Sequence, residues 1–253
     1  MVDNELAGVG VLVTRPRHQA TELVTAIEAR GGSAIQFPVL EIVPREENAI
    51  VNDASSLRDP DIAIFVSSNA VKYGLPYIDT AQLAVVGPAT AAAVEAAGRN
   101  VDIRSDAGYD SEHLLATPEL QDVNGKSIRI VRGNDGRELL AETLRTRGAT
   151  VEYLAVYDRR VPQYPESDVD DLGRTWRSGA INVVTIMSVE SLRNLVTILP
   201  ESCRPELGKT PLVTPATRVI KEALNQLPGI PTTLARGTQA SEMVKAIIRC
   251  TQA

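Results

Sequence analysis

Residues 128–160, IRIVRGNDGRELLAETLRTRGATVEYLAVYDRR, read as an apolar strand, a glycine-bearing loop, a helix, an Arg-Gly turn, a second apolar strand and a polar exit. Residues 10–42, GVLVTRPRHQATELVTAIEARGGSAIQFPVLEI, give the same order. In each copy the first apolar run closes on an arginine, Arg15 or Arg132, and the helix ends at Arg-Gly, Arg30-Gly31 or Arg147-Gly148, so the copies stand 117 residues apart. Self-similarity at such a distance fixes architecture before any single motif does. The echo continues downstream: DIAIFVSSNAVKYGL at 61–75 is answered by INVVTIMSVESLRNL at 181–195, QLAVVGPATAAAVEAAG at 82–98 by TPLVTPATRVIKEAL at 210–224, and DSEHLL at 110–115 by ASEMVK at 240–245. The lengthening offset is what insertions in surface loops produce.

Two copies of one unit therefore fill the 253 residues, each large enough for its own core. Short apolar runs alternate with helical periods of ten or more residues, the pattern of right-handed βαβ units in a parallel sheet. The strands are placed at Val9–Val13, Ala34–Phe37, Ile62–Val66, Leu83–Val86 and Val101–Ile103, and again within 128–156, then at 181–186, 211–213 and Thr232–Leu234. Ten strands, five per repeat, give the fold class: α/β, two similar doubly wound five-stranded parallel-sheet domains. Two segments stand apart. VLEIV, bracketed by Pro38 and Pro44, and Tyr157–Pro162, where composition turns polar, read as extended segments outside the sheets. Helices are expected from Glu46 to Leu57, behind caps at Ser67-Ser68-Asn69 and Ser111, near 166–177, from Ser188, from Pro215 and over 240–250.

The net charge of −6 and pI near 5.1 argue against nucleic acid or a membrane surface as partner, since both favour a basic field. Two cysteines without metal spacing, no apolar run of about 20 residues and no basic, apolar leader in MVDNELAG predict a cytoplasmic protein.

In an open parallel sheet, ligands sit beyond the carboxyl ends of the strands. The residues there are Thr14, Arg15, Ser67, Ser68, Gly87, Thr90, Arg132, Gly133, Ser188 and Thr217. They are hydroxyls, glycines and arginines beside helix starts, a set suited to a multiply anionic ligand. No dinucleotide or Walker fingerprint follows a strand, and Gly133-Asn134-Asp135-Gly136-Arg137 lacks the lysine and hydroxyl of a triphosphate loop. His18 and His113 are too far apart in sequence to suggest a metal site. Asp168-Val169-Asp170-Asp171 reads as a solvated first helical turn, Trp176 as packing, and Arg132 either as a ligand contact or as the partner of Asp135 or Asp158.

At these residues the chain resembles the uroporphyrinogen-III synthase family: VTRP (13–16), FPVLEI (37–42), IFVSSNAV (64–71), VVGPATAAAVEAAG (85–98), DSEHLL (110–115), the whole of 128–160 and VTPATRVIKEAL (213–224). The resemblance implies that the domains are not the two halves of the chain. One is 1–38 plus 162–253, discontinuous; the other is 44–156, inserted; linkers lie at 39–43 and 157–161. It implies an enzyme that cyclises hydroxymethylbilane, a linear tetrapyrrole polycarboxylate, with loss of water and inversion of the terminal ring, as a monomer without cofactor or metal. Tyr157 matches the family's catalytic tyrosine, whose phenol can donate a proton to the leaving hydroxyl. Ser67, Thr90, Ser188 and Thr217 match substrate-contacting hydroxyls, with Arg15 and Lys209 as carboxylate partners. Asn69 stands where relatives often carry a cation, and Met187-Ser188-Val189 replaces a Thr-Ser-Pro-like turn. A two-domain anion-binding or sensory protein without catalysis would use the same frame.

Overall fold

The computed structural model describes residues 4–136 and 138–252, so Arg137 of the 133–137 loop lies outside the described residues. Ten strands are present among them: β1 Gly10–Val13, β2 Ser33–Gln36, β3 Glu41–Pro44, β4 Ile62–Phe65, β5 Gln82–Val85, β6 Ser127–Gly133, β7 Thr150–Arg160, β8 Val183–Thr185, β9 Leu212–Thr214 and β10 Thr232–Leu234. The helices are α1 Arg17–Glu28, α2 Glu47–Ser56, α3 Ser68–Gly74, α4 Pro88–Ala96, α5 Ser111–Leu115, α6 Leu139–Thr146, α7 Glu166–Arg177, α8 Val189–Ile198, α9 Arg204–Lys209, α10 Thr217–Gln226 and α11 Ala240–Thr251. The chain divides into two compact units, one running through Glu41 and resuming at Val161, the other Ile42–Arg160.

The discontinuous unit has the strand order β10-β9-β8-β1-β2, parallel at every pair. Val11, Leu12 and Val13 are fully buried because β1 lies inside the sheet with helices on both faces. Ala20, Leu23 and Ile27 of α1 recur at helical spacing and pack with Met243, Val244 and Ile247 of α11 on one face. Leu172 and Trp176 of α7, Leu192 and Leu195 of α8 and Val219 of α10 fill the other. Each valine, leucine, isoleucine or methionine among them contributes roughly 1.5–3 kcal/mol by leaving water. The Trp176 indole donates to Thr210 Oγ1 at 2.8 Å, which satisfies its single polar atom.

The continuous unit has the order β3-β7-β6-β4-β5. Ile62 and Ile64 of β4 face a core shared with Leu140 and Leu144 of α6, while Ala63 and Phe65 face Ala70 and Val71 of α3 and Val94 of α4. A side chain on Gly74 would bring its Cβ within 2.3 Å of Val131 Cγ1, so glycine lets α3 lie directly on β6.

Four expectations are corrected. Glu41–Pro44 is strand, not a segment outside the sheet, and it takes the edge, where Pro44 leaves no interior donor missing. Tyr157–Arg160 is likewise the end of β7, so the linkers expected at 39–43 and 157–161 are in large part sheet. Val101–Ile103 forms one bridge, Ala84 to Ile103, in place of a strand. The cap of α5 is Asp110, accepting from the His113 amide at 2.9 Å, not Ser111, because a carboxylate one residue earlier reaches the free amide. The short helix α9 was not anticipated, and the helix expected from Pro215 starts at Thr217.

Candidate functional site

In both sheets the winding reverses between two central strands: β1 and β8 in the discontinuous unit, β6 and β4 in the continuous one. Such switch points open a crevice at the strand ends. The internal repeat makes β1 equivalent to β6 and β8 to β4, so the two crevices are built from corresponding residues.

In the continuous unit Ser67 follows β4 and caps α3, its Oγ accepting from the Ala70 amide at 3.1 Å. The Tyr157 hydroxyl lies 3.2 Å from the same Oγ. The Tyr157 ring is 1% exposed, packed with Phe65, Val131 and Val156 and inclined to Tyr73 at a centroid separation of 6.5 Å. Ser67 itself is only half-buried. Thr90 lies in the first turn of α4, after the neighbouring β5, and is buried.

Arg132, at the end of β6, points away from this pair. Its guanidinium lies over the Tyr153 ring at 4.7 Å and donates to Glu138 at 3.0 Å, and Tyr153 donates to the other Glu138 oxygen. Those hydrogen bonds, from Tyr153 first and Arg132 next, hold the Glu138 carboxyl below its usual range. Burial, followed by the bond to Glu138, pushes the Tyr153 phenol up. Arg132 was expected to meet a ligand, Asp135 or Asp158; its partner is Glu138, six residues on, because the loop folds back over it. Asp158 pairs instead with Asn134 and, at 3.0 Å, with Arg160.

In the discontinuous unit Ser188 caps α8, accepting from the Ser191 amide at 3.0 Å with the Ser191 hydroxyl 2.9 Å away. Thr14 Oγ1 donates to the Thr185 carbonyl at 2.6 Å and Thr185 Oγ1 to the Leu12 carbonyl at 3.1 Å, which locks β1 to β8 beneath the crevice. Arg15, just past β1, donates to the Thr238 carbonyl at 2.6 Å, while its Nε is buried with no hydrogen-bond partner. Burial lowers the pKa of this guanidinium, partly offset by Glu22. An unmatched buried donor is costly, and an anion would remove the cost. Thr217, the first residue of α10, is exposed. Lys209 does not join this group: it ends α9 and precedes β9, which puts it at the amino end of the sheet, opposite Arg15, Ser188 and Thr217.

His18 is exposed; His113 is half-exposed beside Asp110. Asp168, Asp170 and Asp171 are exposed on the first turns of α7. Among the described residues no three His, Cys, Asp or Glu side chains gather as a metal site. No helix among them is long and apolar enough to cross a membrane.

The profile of the uroporphyrinogen-III synthase HemD family matches residues 21–241. The chain belongs to the uroporphyrinogen-III synthase family. The uroporphyrinogen-III synthase of Salmonella typhimurium is 32% identical over 203 residues, covering 76% of this chain and 81% of that protein. The Escherichia coli uroporphyrinogen-III synthase is 29% identical over 202 residues, with the same shares. Two solved structures share the fold: a mutant uroporphyrinogen-III synthase of Thermus thermophilus (19% identical, TM-score 0.63) and the Helicobacter pylori uroporphyrinogen-III synthetase (12% identical, TM-score 0.62). Each aligns with 96% of this chain and 99% of its own. Uroporphyrinogen-III synthases are lyases that cyclise hydroxymethylbilane, so the resemblance read from the sequence is borne out at the level of family and reaction.

Proposed function

We propose that this chain converts hydroxymethylbilane to uroporphyrinogen III with the Ser67 and Tyr157 hydroxyls acting as one proton-donating pair. The observation that carries the reading is the 3.2 Å separation of those hydroxyls at the end of β4. The carbon–oxygen bond of the hydroxymethyl group breaks, its electron pair going to oxygen, and the pyrrole nitrogen stabilises the resulting azafulvene cation. The oxygen leaves as water by taking a proton. The substituted carbon of the terminal ring then attacks, and closure through a spiro intermediate inverts that ring. The hydrogen lost from the bonding ring carbon as the pyrrole regains aromaticity restores the proton to the pair.

A serine hydroxyl has two acceptor lone pairs and one proton. The Ala70 amide fills one lone pair of Ser67; with Tyr157 assigned as donor to the other across 3.2 Å, the serine proton is left to face the substrate. As Ser67 gives up that proton, the phenol replaces it. Burial of the Tyr157 ring makes Ser67 the member of the pair that meets the leaving group. The separation is longer than an ordinary O–H···O bond, as is common before substrate tightens a site.

The substrate carries eight carboxylates. Arg15, which is only partly buried at the end of β1, takes one, and the helix starts bearing Thr90, Ser188 and Thr217 supply further donors. Lys209 is not among them. The chain acts on this substrate as a cytoplasmic monomer.

The test is incubation of purified protein with hydroxymethylbilane and separation of the product isomers. An excess of the ring-inverted macrocycle over the spontaneous one supports the reading. The mixture formed in buffer alone would leave an anion-binding protein without catalysis.

A further inference from the structure

Side chains alternate between the two faces of a strand, so a one-residue slip moves every later residue to the other face. Along β7, Val151 and Tyr153 face the core that holds Ile128 and Ile130, and Leu154 faces the core beneath α3. Continued alternation would place Val156 with Leu154 and turn Tyr157 back toward Tyr153. Instead Val156 and Tyr157 both belong to the core beneath α3. The pairing with β6 explains it: Arg132 is matched with Ala155, but Gly133 is matched with Tyr157, so β7 holds one extra residue, Val156. This is a β-bulge, a feature that re-aims a side chain and is uncommon between parallel strands.

The bulge needs room on β6. A Cβ on Gly133 would fall 2.6 Å from Tyr157 Cε2, 3.0 Å from Cζ and 3.1 Å from Cδ2. The contact is with the edge of a packed ring, which cannot swing aside without taking the hydroxyl off Ser67. The ladder closes again beyond the bulge, where the Asn134 amide donates to the Tyr157 carbonyl at 3.1 Å and the Asn134 side chain donates to Asp158.

We infer that the bulge at Val156 is the device that turns the Tyr157 hydroxyl onto Ser67, and that Gly133 is a positioning residue for cyclisation because its missing side chain is the space the ring occupies. The inference rests on the reading of Ser67 and Tyr157 as the proton-donating pair.

The test uses four proteins: wild type, Gly133→Ala, Tyr157→Phe and the double variant, each compared for folded content, kcat and KM with hydroxymethylbilane. Gly133→Ala should lower kcat roughly 10- to 100-fold with KM within about threefold, as a small misplacement of a reacting group does. In the double variant it should cost nothing beyond Tyr157→Phe, because both remove the same aimed hydroxyl. A double variant slowed by the product of the single effects, or full turnover in Gly133→Ala, overturns the inference while leaving the donor pair standing. Full turnover in Tyr157→Phe overturns the donor pair itself. If Gly133→Ala does not fold, Asn134→Ala adds no atoms and loosens the same closure: its smaller loss of kcat must also vanish in the Tyr157→Phe background, and a loss that persists there overturns the inference.

Discussion

The two switch points start from the same parts and end with different ones. After β1, Arg15 is only partly buried and keeps a buried, unmatched Nε; after β6, its counterpart Arg132 is buried and engaged with Glu138 and the Tyr153 ring. After β8, Ser188 caps its helix with Ser191 for a neighbour; after β4, Ser67 caps its helix with Tyr157 for one. The counterpart of β7 is the four-residue β2, and the 117-residue offset puts Leu40, which has no hydroxyl, at the Tyr157 position. Duplication supplied a cap and an arginine to each crevice. Divergence turned one arginine into scaffold and gave one cap a phenol, so on the proposed reading anion anchoring falls to one crevice and proton donation to the other.

The largest effect should come from the donor pair. Ser67→Ala, which removes the member that meets the leaving group, should cost kcat at least as much as loss of the phenol behind it. Tyr157→Phe is expected to lower kcat about 100- to 1000-fold with KM little changed, the signature of a group acting in the transition state. Steady-state formation of the inverted isomer measures it, and an unchanged rate would erase the difference between the crevices. Next come the arginines. Arg15→Ala should raise KM roughly tenfold without lowering the melting temperature, since a lost carboxylate contact is lost binding. Arg132→Ala should do the reverse, lowering stability by about 1–3 kcal/mol through its lost ring and carboxylate partners. Equal effects on KM would return Arg132 to the ligand. Third, Ser67→Ala and Ser188→Ala each remove a helix cap at a cost of about 1 kcal/mol, and at that shared cost only Ser67→Ala should slow turnover.

The smallest effect is electrostatic. The Glu138 carboxyl titrates below its ordinary value of 4.5 in the folded state, so its contribution to stability is whole above that value and is lost as the pH falls through the lowered one. Glu138→Gln should flatten this part of the acid limb in urea titrations. No corresponding limb is expected from Arg15, whose guanidinium stays protonated throughout that range.

The repeat made most of this frame legible. Apolar runs repeated in the same order located nine of the ten strands among the described residues and the central crevices, because buried parallel strands carry their signal within themselves. The misses were non-local. Glu41–Pro44 was read as a spacer from its prolines, yet an edge strand tolerates proline, and only its neighbour β7 reveals it as sheet. The attachment of Arg132 to Glu138 depends on how a loop folds back over it, which charge spacing does not encode. Tyr157 was found through its resemblance to a family tyrosine. The face it points to could not be found from sequence, because alternation along β7 predicts the opposite one and the extra residue shows only in the pairing with β6.

The discontinuous unit draws its inner strands from distant parts of the chain: Val11 pairs with Val183, and Thr14 bonds to Thr185 across 171 positions. The continuous unit draws every strand of its sheet from one unbroken stretch, Glu41–Arg160. As the polypeptide leaves the ribosome, the middle can fold while β1 still waits, one edge bare, for β8 to be synthesised. A chain stopped near Arg160 would therefore keep the phenol and its serine in a formed sheet but lose the arginine crevice, and its first forty residues would be the part that chaperones must shield.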